Sequence, residues 1–202
     1  QWQNNIGGND KDQLTSIQQT SDGGYIIGGY SESNISGDKT ENCNIVEDYW
    51  IVKIDSIGII QWQNTIGGSL YDFTPSVLQT SDGGYIIGGS SDSDISGDKS
   101  ENCIGFPDYW IVKVDPLGNI QWQNSIGGLG YDNLESIQQT IDGGYILGGS
   151  SESGISGDKT ENCIAVDDYW VVKVDSIGNI QWQNTIGGNY DDKFTSIKQT
   201  TD

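Results

Sequence analysis

The 202-residue chain contains no arginine and no histidine, and all nine of its basic residues are lysine. Without histidine, no Ser-His-Asp or Cys-His arrangement and no histidine-bearing zinc site can be built. Without arginine, no guanidinium fork can clamp a carboxylate or phosphate. The composition therefore argues against an enzyme. Against the nine lysines stand 29 acidic residues, a formal charge of -20. Such a surface repels phosphate backbones and anionic lipid, which leaves cations and uncharged polymers as the plausible partners and excludes nucleic acid. No stretch approaches the roughly 20 apolar residues of a membrane helix, so no membrane insertion is expected. Gln1 is preceded by no initiator Met and followed by no charged-then-apolar leader. The chain thus reads as a processed product or an excerpt of a longer one. There are only three cysteines, Cys43, Cys103 and Cys163, one per copy of a repeat. One thiol per unit allows no bridge within a unit. Buried thiols, pairing between neighbouring units and links between chains all remain open.

What is abundant is repetition. The pattern QWQN opens at Gln1, Gln61, Gln121 and Gln181, a period of 60 residues without insertion or deletion. The chain is one repeat array: complete units 1–60, 61–120 and 121–180, and a truncated unit 181–202. A period of this kind marks supersecondary units that need their neighbours to bury their faces.

No helical period occurs anywhere. In the second unit Ile60, Trp62, Asn64 and Ile66 alternate with Gln61, Gln63 and Thr65, which predicts a strand buried on one side, as at an outer edge. After Gly67-Gly68 and a loop over 69–75, Ser76 to Thr80 reads as a second strand. Ser81-Asp82-Gly83-Gly84 is a tight-turn signature, and Tyr85 to Ser90 is apolar on both faces. Asp108 to Asp115 is the strongest strand, with Trp110, Val112 and Val114 on one face and Tyr109 and Ile111 on the other. It should lie between layers, and a Gly118 turn returns the chain to the next QWQN strand. The expected fold is all-β: one four-stranded antiparallel meander per 60-residue repeat, the blade of a β-propeller, in a partial array. An extended β-repeat fibre or a solenoid is the alternative. Lettering the strands a to d from Ser76, the chain starts on a d strand and ends within the turn after an a strand. Three blades are also fewer than the four or more that close a ring, so a window onto a longer array is expected.

Between Ser91 and Pro107 lie seventeen residues without periodicity, longer than a usual connection. Asp92, Asp94, Ser96 and Gly97 imitate the opening of a calcium loop, although Cys103 stands where a bidentate Glu belongs. The acids recurring in every copy are Glu32, Asp38 and Glu41; Asp92, Asp98 and Glu101; and Glu152, Asp158 and Glu161. They are the candidate calcium ligands. The competing assignment has them capping their own loop and pairing with Lys39, Lys99 and Lys159. The tryptophans could form a sugar platform, but strand alternation puts them on apolar faces and predicts burial.

Thr80-Ser81-Asp82-Gly83-Gly84-Tyr85, repeated from Thr20 and Thr140 and begun again at Thr200-Thr201-Asp202, resembles the Asp-box of sialidase-type propellers. That resemblance implies that the Asp ties its turn through backbone N–H groups and does no chemistry. The combined pattern W-x-x-x-I-G-G, T-x-D-G-G-Y-I-x-G-G, S-G-D-K and D-Y-W-x-V-K-x-D-x-x-G-N covers the whole chain. It resembles a repeat of large secreted proteins of gliding bacteria, exported by the type IX system. The resemblance implies a non-catalytic extracellular or cell-surface module, an adhesin or structural scaffold. Its partners would be further repeats of the same chain, other copies of itself, or surface glycans and proteins. A carbohydrate-binding or glycan-degrading propeller using paired carboxylates is the alternative function.

Overall fold

The computed structural model describes residues 2–164 and 166–200. The start of the first unit at Gln1 and the last two residues of the fourth Thr-x-Asp turn, Thr201 and Asp202, lie outside the described residues. Among the described residues twelve strands follow one another without a helix. Sheet 1 is β1 (Asp12–Gln19), β2 (Tyr25–Ser31), β3 (Asp48–Ile54) and β4 (Ile60–Ile66). Sheet 2 is β5 (Asp72–Gln79), β6 (Tyr85–Ser91), β7 (Asp108–Val114) and β8 (Ile120–Ile126). Sheet 3 is β9 (Asp132–Gln139), β10 (Tyr145–Ser151), β11 (Asp168–Val174) and β12 (Ile180–Ile186). Each sheet is an antiparallel meander in chain order, and the three blade-like sheets do not close on one another. Among the described residues no helix is long and apolar enough to cross a membrane.

Hairpin turns hold the register. In the first, Gly83 takes φ +85° and donates its N–H to Thr80 O at 2.9 Å, while Tyr85 pairs with Gln79. In the second, Gly118 takes φ +89° and Val114 pairs with Ile120 across a bulge. Glycine supplies these left-handed conformations without a Cβ penalty.

The strand expected from Ser76 begins four residues earlier, at Asp72. Its ladder is interrupted between Phe73 and Ser76, where Thr74 takes φ +54° and Pro75, which cannot donate, sits in the bulge. Sequence alternation fails there because the bulge shifts the register, so the stretch reads as loop.

The core lies between sheets. One cluster joins Tyr49, Ile51 and Ile66 of sheet 1 to Val77, Tyr85, Ile87 and Trp110 of sheet 2; a second joins Tyr109, Ile111 and Ile126 to Ile137, Leu147 and Trp170. Each such side chain, fully buried, contributes about 1.5–3 kcal/mol. Tyr49 stacks on Trp110 with centroids 5.1 Å apart, and its hydroxyl reaches Ser90 O across the boundary. The Gly-Gly of each YI(I/L)GG strand makes this approach feasible, since a Cβ at Gly89 would lie 2.7 Å from both Phe73 O and the Tyr49 hydroxyl. The tryptophans divide into two classes. Trp50, Trp110 and Trp170 are buried as expected, whereas the QWQN residues Trp62 and Trp122 are half-buried and Trp182 is exposed.

Candidate functional site

The long loop between the second and third strands of each sheet folds over the outer strand. Within it Gly97 makes a tight turn with φ +54°, closed by Ser96 and Lys99, whose N–H donates to Ser96 O at 2.9 Å. Gln123 on β8 staples the loop down: its Nε2 donates to Asp98 O at 2.7 Å, and its Oε1 accepts from Ser100 N and from the Trp110 indole. The loop thus covers a strand edge that would otherwise present unpaired backbone groups.

The candidate calcium ligands separate into different tasks. Glu41, Glu101 and Glu161 each accept the N–H of an outer-strand residue, Thr65, Ser125 and Thr185, at 2.6 to 2.8 Å. Asp38, Asp98 and Asp158 accept the N–H of Gly7, Gly67 and Gly127 at 3.2 Å. Asp98 also donates its own N–H to Gly67 O at 2.9 Å, which pins the loop of sheet 2 to the exit of sheet 1. Burial moves the Asp92, Asp98 and Asp158 carboxyls above their ordinary range, and it does the same to Glu152. Glu32 and Lys11 form an exposed ion pair at 3.3 Å. Among the described residues no three acidic or thiol side chains converge as a metal-binding group. The juxtaposition that does occur crosses a boundary: Glu41 of one unit and Asp98 of the next line one cleft with Asn64 and Gly118.

Lys39, Lys99 and Lys159 pair with none of these acids. They turn inward, 1 to 2% exposed, with Nζ 4.9 to 5.5 Å from the ring centres of Trp50, Trp110 and Trp170. Their amines also meet the hydroxyls of Thr65, Ser125 and Thr185. A cation over an indole face is stabilised by the ring quadrupole, more so when desolvated.

Beside each buried lysine lie carboxylates that the sequence reads only as strand ends or, for Asp72 and its equivalents, as part of a loop. Asp48, Asp72, Asp108, Asp132 and Asp168 are 0% exposed. Asp72 accepts from Gly68 N at 2.6 Å and from Ser93 Oγ, while Asp48 accepts from Asn44 N at 2.6 Å. Among the described residues Asp48 Oδ1 has no hydrogen-bond partner and is packed against Gly67. Burial raises Asp48 to about 6 and Asp72 to about 7, and the two carboxylates repel across the first boundary. Asp108, raised to about 6 by burial, faces Asp132 in the same way across the second. Their recurrence at the same phase in every unit was the available signal.

The Thr-x-Asp turns are built as their resemblance implies. Asp82 Oδ1 accepts from the Thr80 hydroxyl at 2.5 Å and from Gly84 N at 3.0 Å, and Oδ2 meets Lys113 at 3.0 Å. Burial alone would raise Asp82, but those partners outweigh it and lower it to about 2. A scan of known protein families finds no match to this chain, and a search of curated proteins finds no significant match either. The cysteines are free and half-buried, the Cys103 thiol donating to Ser91 O at 3.0 Å and pushed up to about 12 by burial.

Two further clefts lie between the sheets. They recur at the same end of the two internal boundaries, about 520 and 430 Å³, and each brings a Thr-x-Asp turn and its lysine together with a QWQN strand.

Proposed function

We propose that this chain is a non-catalytic extracellular β-repeat module, acting as an adhesin or structural scaffold at the cell surface. One observation carries the proposal: the acids that could do chemistry recur in every unit and are engaged in holding main chain. Asp82 and its equivalents tie turns, Glu101 and its equivalents cap outer strands, and Asp98 and Asp158 tie one sheet to the next. A single active site does not need three copies of each acid, whereas an array does. The acidic, arginine-free surface and the repeat pattern support the same reading.

Further units of the same kind, from the same chain or a second copy, are the proposed partners. Leu14 and Ile17 of β1 are 58% and 56% exposed, whereas Val77, Leu134 and Ile137 at the matching positions of the later sheets are at most 4% exposed, packed on the preceding sheet. A covering unit would bury that face as the internal boundaries do. Calcium, bridging Glu41 and Asp98 or their equivalents, is the proposed ion, since oxygen ligands from two units would then share one hard cation.

The test is surface labelling of intact source cells with an antibody to the repeat, with and without external protease. Purified repeat on inert beads would be scored for cell attachment, and neutral and acidic glycans incubated with it would be checked for turnover. Protease-sensitive labelling, attachment and intact glycans are expected. Labelling confined to lysed cells, or release of glycan fragments, would overturn the proposal.

A further inference from the structure

The two recurring boundary clefts have a composition that neither capping nor core packing explains. In one, Asp22, Lys53, Gln61 and Trp62 of sheet 1 face Gln79 and Tyr85 of sheet 2; in the other, 60 residues on, Asp82, Lys113, Gln121 and Trp122 face Gln139 and Tyr145. Their volumes fall in the range of about 300–1,000 Å³ typical of small-molecule sites. Trp62 stands edge-on to Tyr85 with centroids 5.5 Å apart, and its indole rests on Gly118 of the following turn. The aromatic wall is therefore fixed in place before any ligand arrives.

The polar wall is equally constrained. Lys53 Nζ is held by Asp22 at 2.9 Å and by Ile54 O and Gln61 Oε1 at 3.0 Å. Gln79 Oε1 accepts the N–H of Ser21 at 2.7 Å across the boundary. Both amides are thus oriented through their oxygens, and among the described residues neither Nε2 has an acceptor. The second cleft repeats this with Lys113 to Gln121 at 3.0 Å and Ser81 N to Gln139 at 2.8 Å. Each cleft therefore offers two aimed amide donors, a half-exposed carboxylate and an aromatic edge. Its Asp–Lys pair cancels, which makes the cleft locally neutral in a chain of charge -20.

We propose that each boundary cleft binds a short stretch of a neutral oligosaccharide. Sugar hydroxyls accept from the Nε2 groups of Gln61 and Gln79 and donate to Asp22, while a C–H face packs on Trp62. An anionic polymer gains nothing from a neutral pair and is repelled by the surrounding acids. Repetition strengthens the fit, because one polymer spanning successive clefts converts weak single-site binding into avidity. The proposal rests on the adhesive reading only for where the glycan is met.

The experiment uses the purified chain. It would be screened against immobilised gluco-, manno-, galacto- and chito-oligosaccharides, with sulfated and uronic-acid polymers for comparison, and the best neutral probe titrated by calorimetry. At least two sites per chain are expected. Ser21→Trp with Ser81→Trp fills both cleft mouths from exposed positions while keeping the backbone bonds to Gln79 and Gln139. Gln61→Glu with Gln121→Glu keeps the lysine contacts but removes one donor per cleft. Each pair should weaken binding at least tenfold with little change in Tm. No bound neutral glycan, preferential binding of the anionic polymers, or full binding by either double variant would overturn the proposal. None of those outcomes bears on the surface labelling and bead attachment that test the adhesive reading.

Discussion

Acid should stabilise this protein, an unusual direction for a chain so rich in carboxylates. Asp48 and Asp72 are fully buried and oppose each other at the first sheet boundary, raised to about 6 and about 7. Asp48 also faces Lys39 from its own sheet and Asp98 from the next, and Asp72 faces Lys99 and the hydroxyls of Ser91 and Ser93. One lysine per unit cannot neutralise two acids, so the pair is relieved by sharing a proton. A carboxyl whose folded-state pKa lies above its unfolded value keeps its proton where the unfolded chain has lost it. Stability is then fully present near pH 4 and is lost as pH rises from about 4 to about 7. Asp82 and Asp142, lowered to about 2 by their turn partners, act oppositely, but their contribution is lost only below about pH 4.

If one proton is shared per boundary, a rise of roughly 2 pK units corresponds to about 3 kcal/mol per boundary. For a chain of this size each boundary is then worth roughly 6–12 °C in Tm. Melts by circular dichroism from pH 4 to 8 at constant ionic strength should show Tm highest near pH 4 and falling towards neutrality. General repulsion in a highly acidic chain has the same sign, so the decisive variant is Asp48→Asn. Its amide imitates the protonated acid: the oxygen still accepts from Asn44 N, and the nitrogen takes the place of Oδ1 beside Gly67. It should raise Tm at pH 8, leave Tm at pH 4 nearly unchanged and flatten the slope between. A wild-type Tm that climbs from pH 4 to 7, or an Asp48→Asn slope equal to that of wild type, would refute the reasoning.

Other outcomes follow from the same contacts. Millimolar calcium should raise Tm, and Asp98→Asn together with Asp38→Asn and Asp158→Asn should abolish the rise; melts identical in calcium and in chelator would remove the ion from the proposal. Gly89→Val places atoms against Phe73 O and the Tyr49 hydroxyl and should cost about 1–3 kcal/mol, seen as a lower urea midpoint. Asp82→Ala leaves Lys113, 3% exposed, with Val114 O and Gln121 Oε1 as its acceptors among the described residues. It should destabilise by about 1–3 kcal/mol at pH 7, Asp82→Asn by less, and equal effects would show that the ion pair is idle. Cys103 should resist a thiol reagent at pH 8 until urea is added; a fast native reaction would contradict its burial.

What the sequence made legible was local, and what it hid was what one unit does to the next. The hairpin turns and the alternating strands were readable because a turn glycine and a period of two depend on neighbouring residues alone. The start of β5 was not, since Asp72 pairs with Ser91 across a bulge that breaks the alternation. The loop acids were recognisable as holding something, but Glu101 reaches Ser125 and Asp98 reaches Gly67, contacts set by where the outer strand and the preceding sheet lie. Lys99 next to Asp98 reads as a surface ion pair, yet the fold sends it beneath Trp110. Asp108 opens an apolar strand and reads as its solvated end, yet stacking the sheets takes its carboxyl out of water. The common cause is that each boundary is made from two copies of the same unit, so an acid at one phase of the repeat meets an acid at another phase of the next copy. Charges tolerable in a single blade become a buried pair once blades stack. The boundary, where Asp48 meets Asp72 and Gln61 meets Gln79, is therefore where both the pH dependence and the ligand clefts arise.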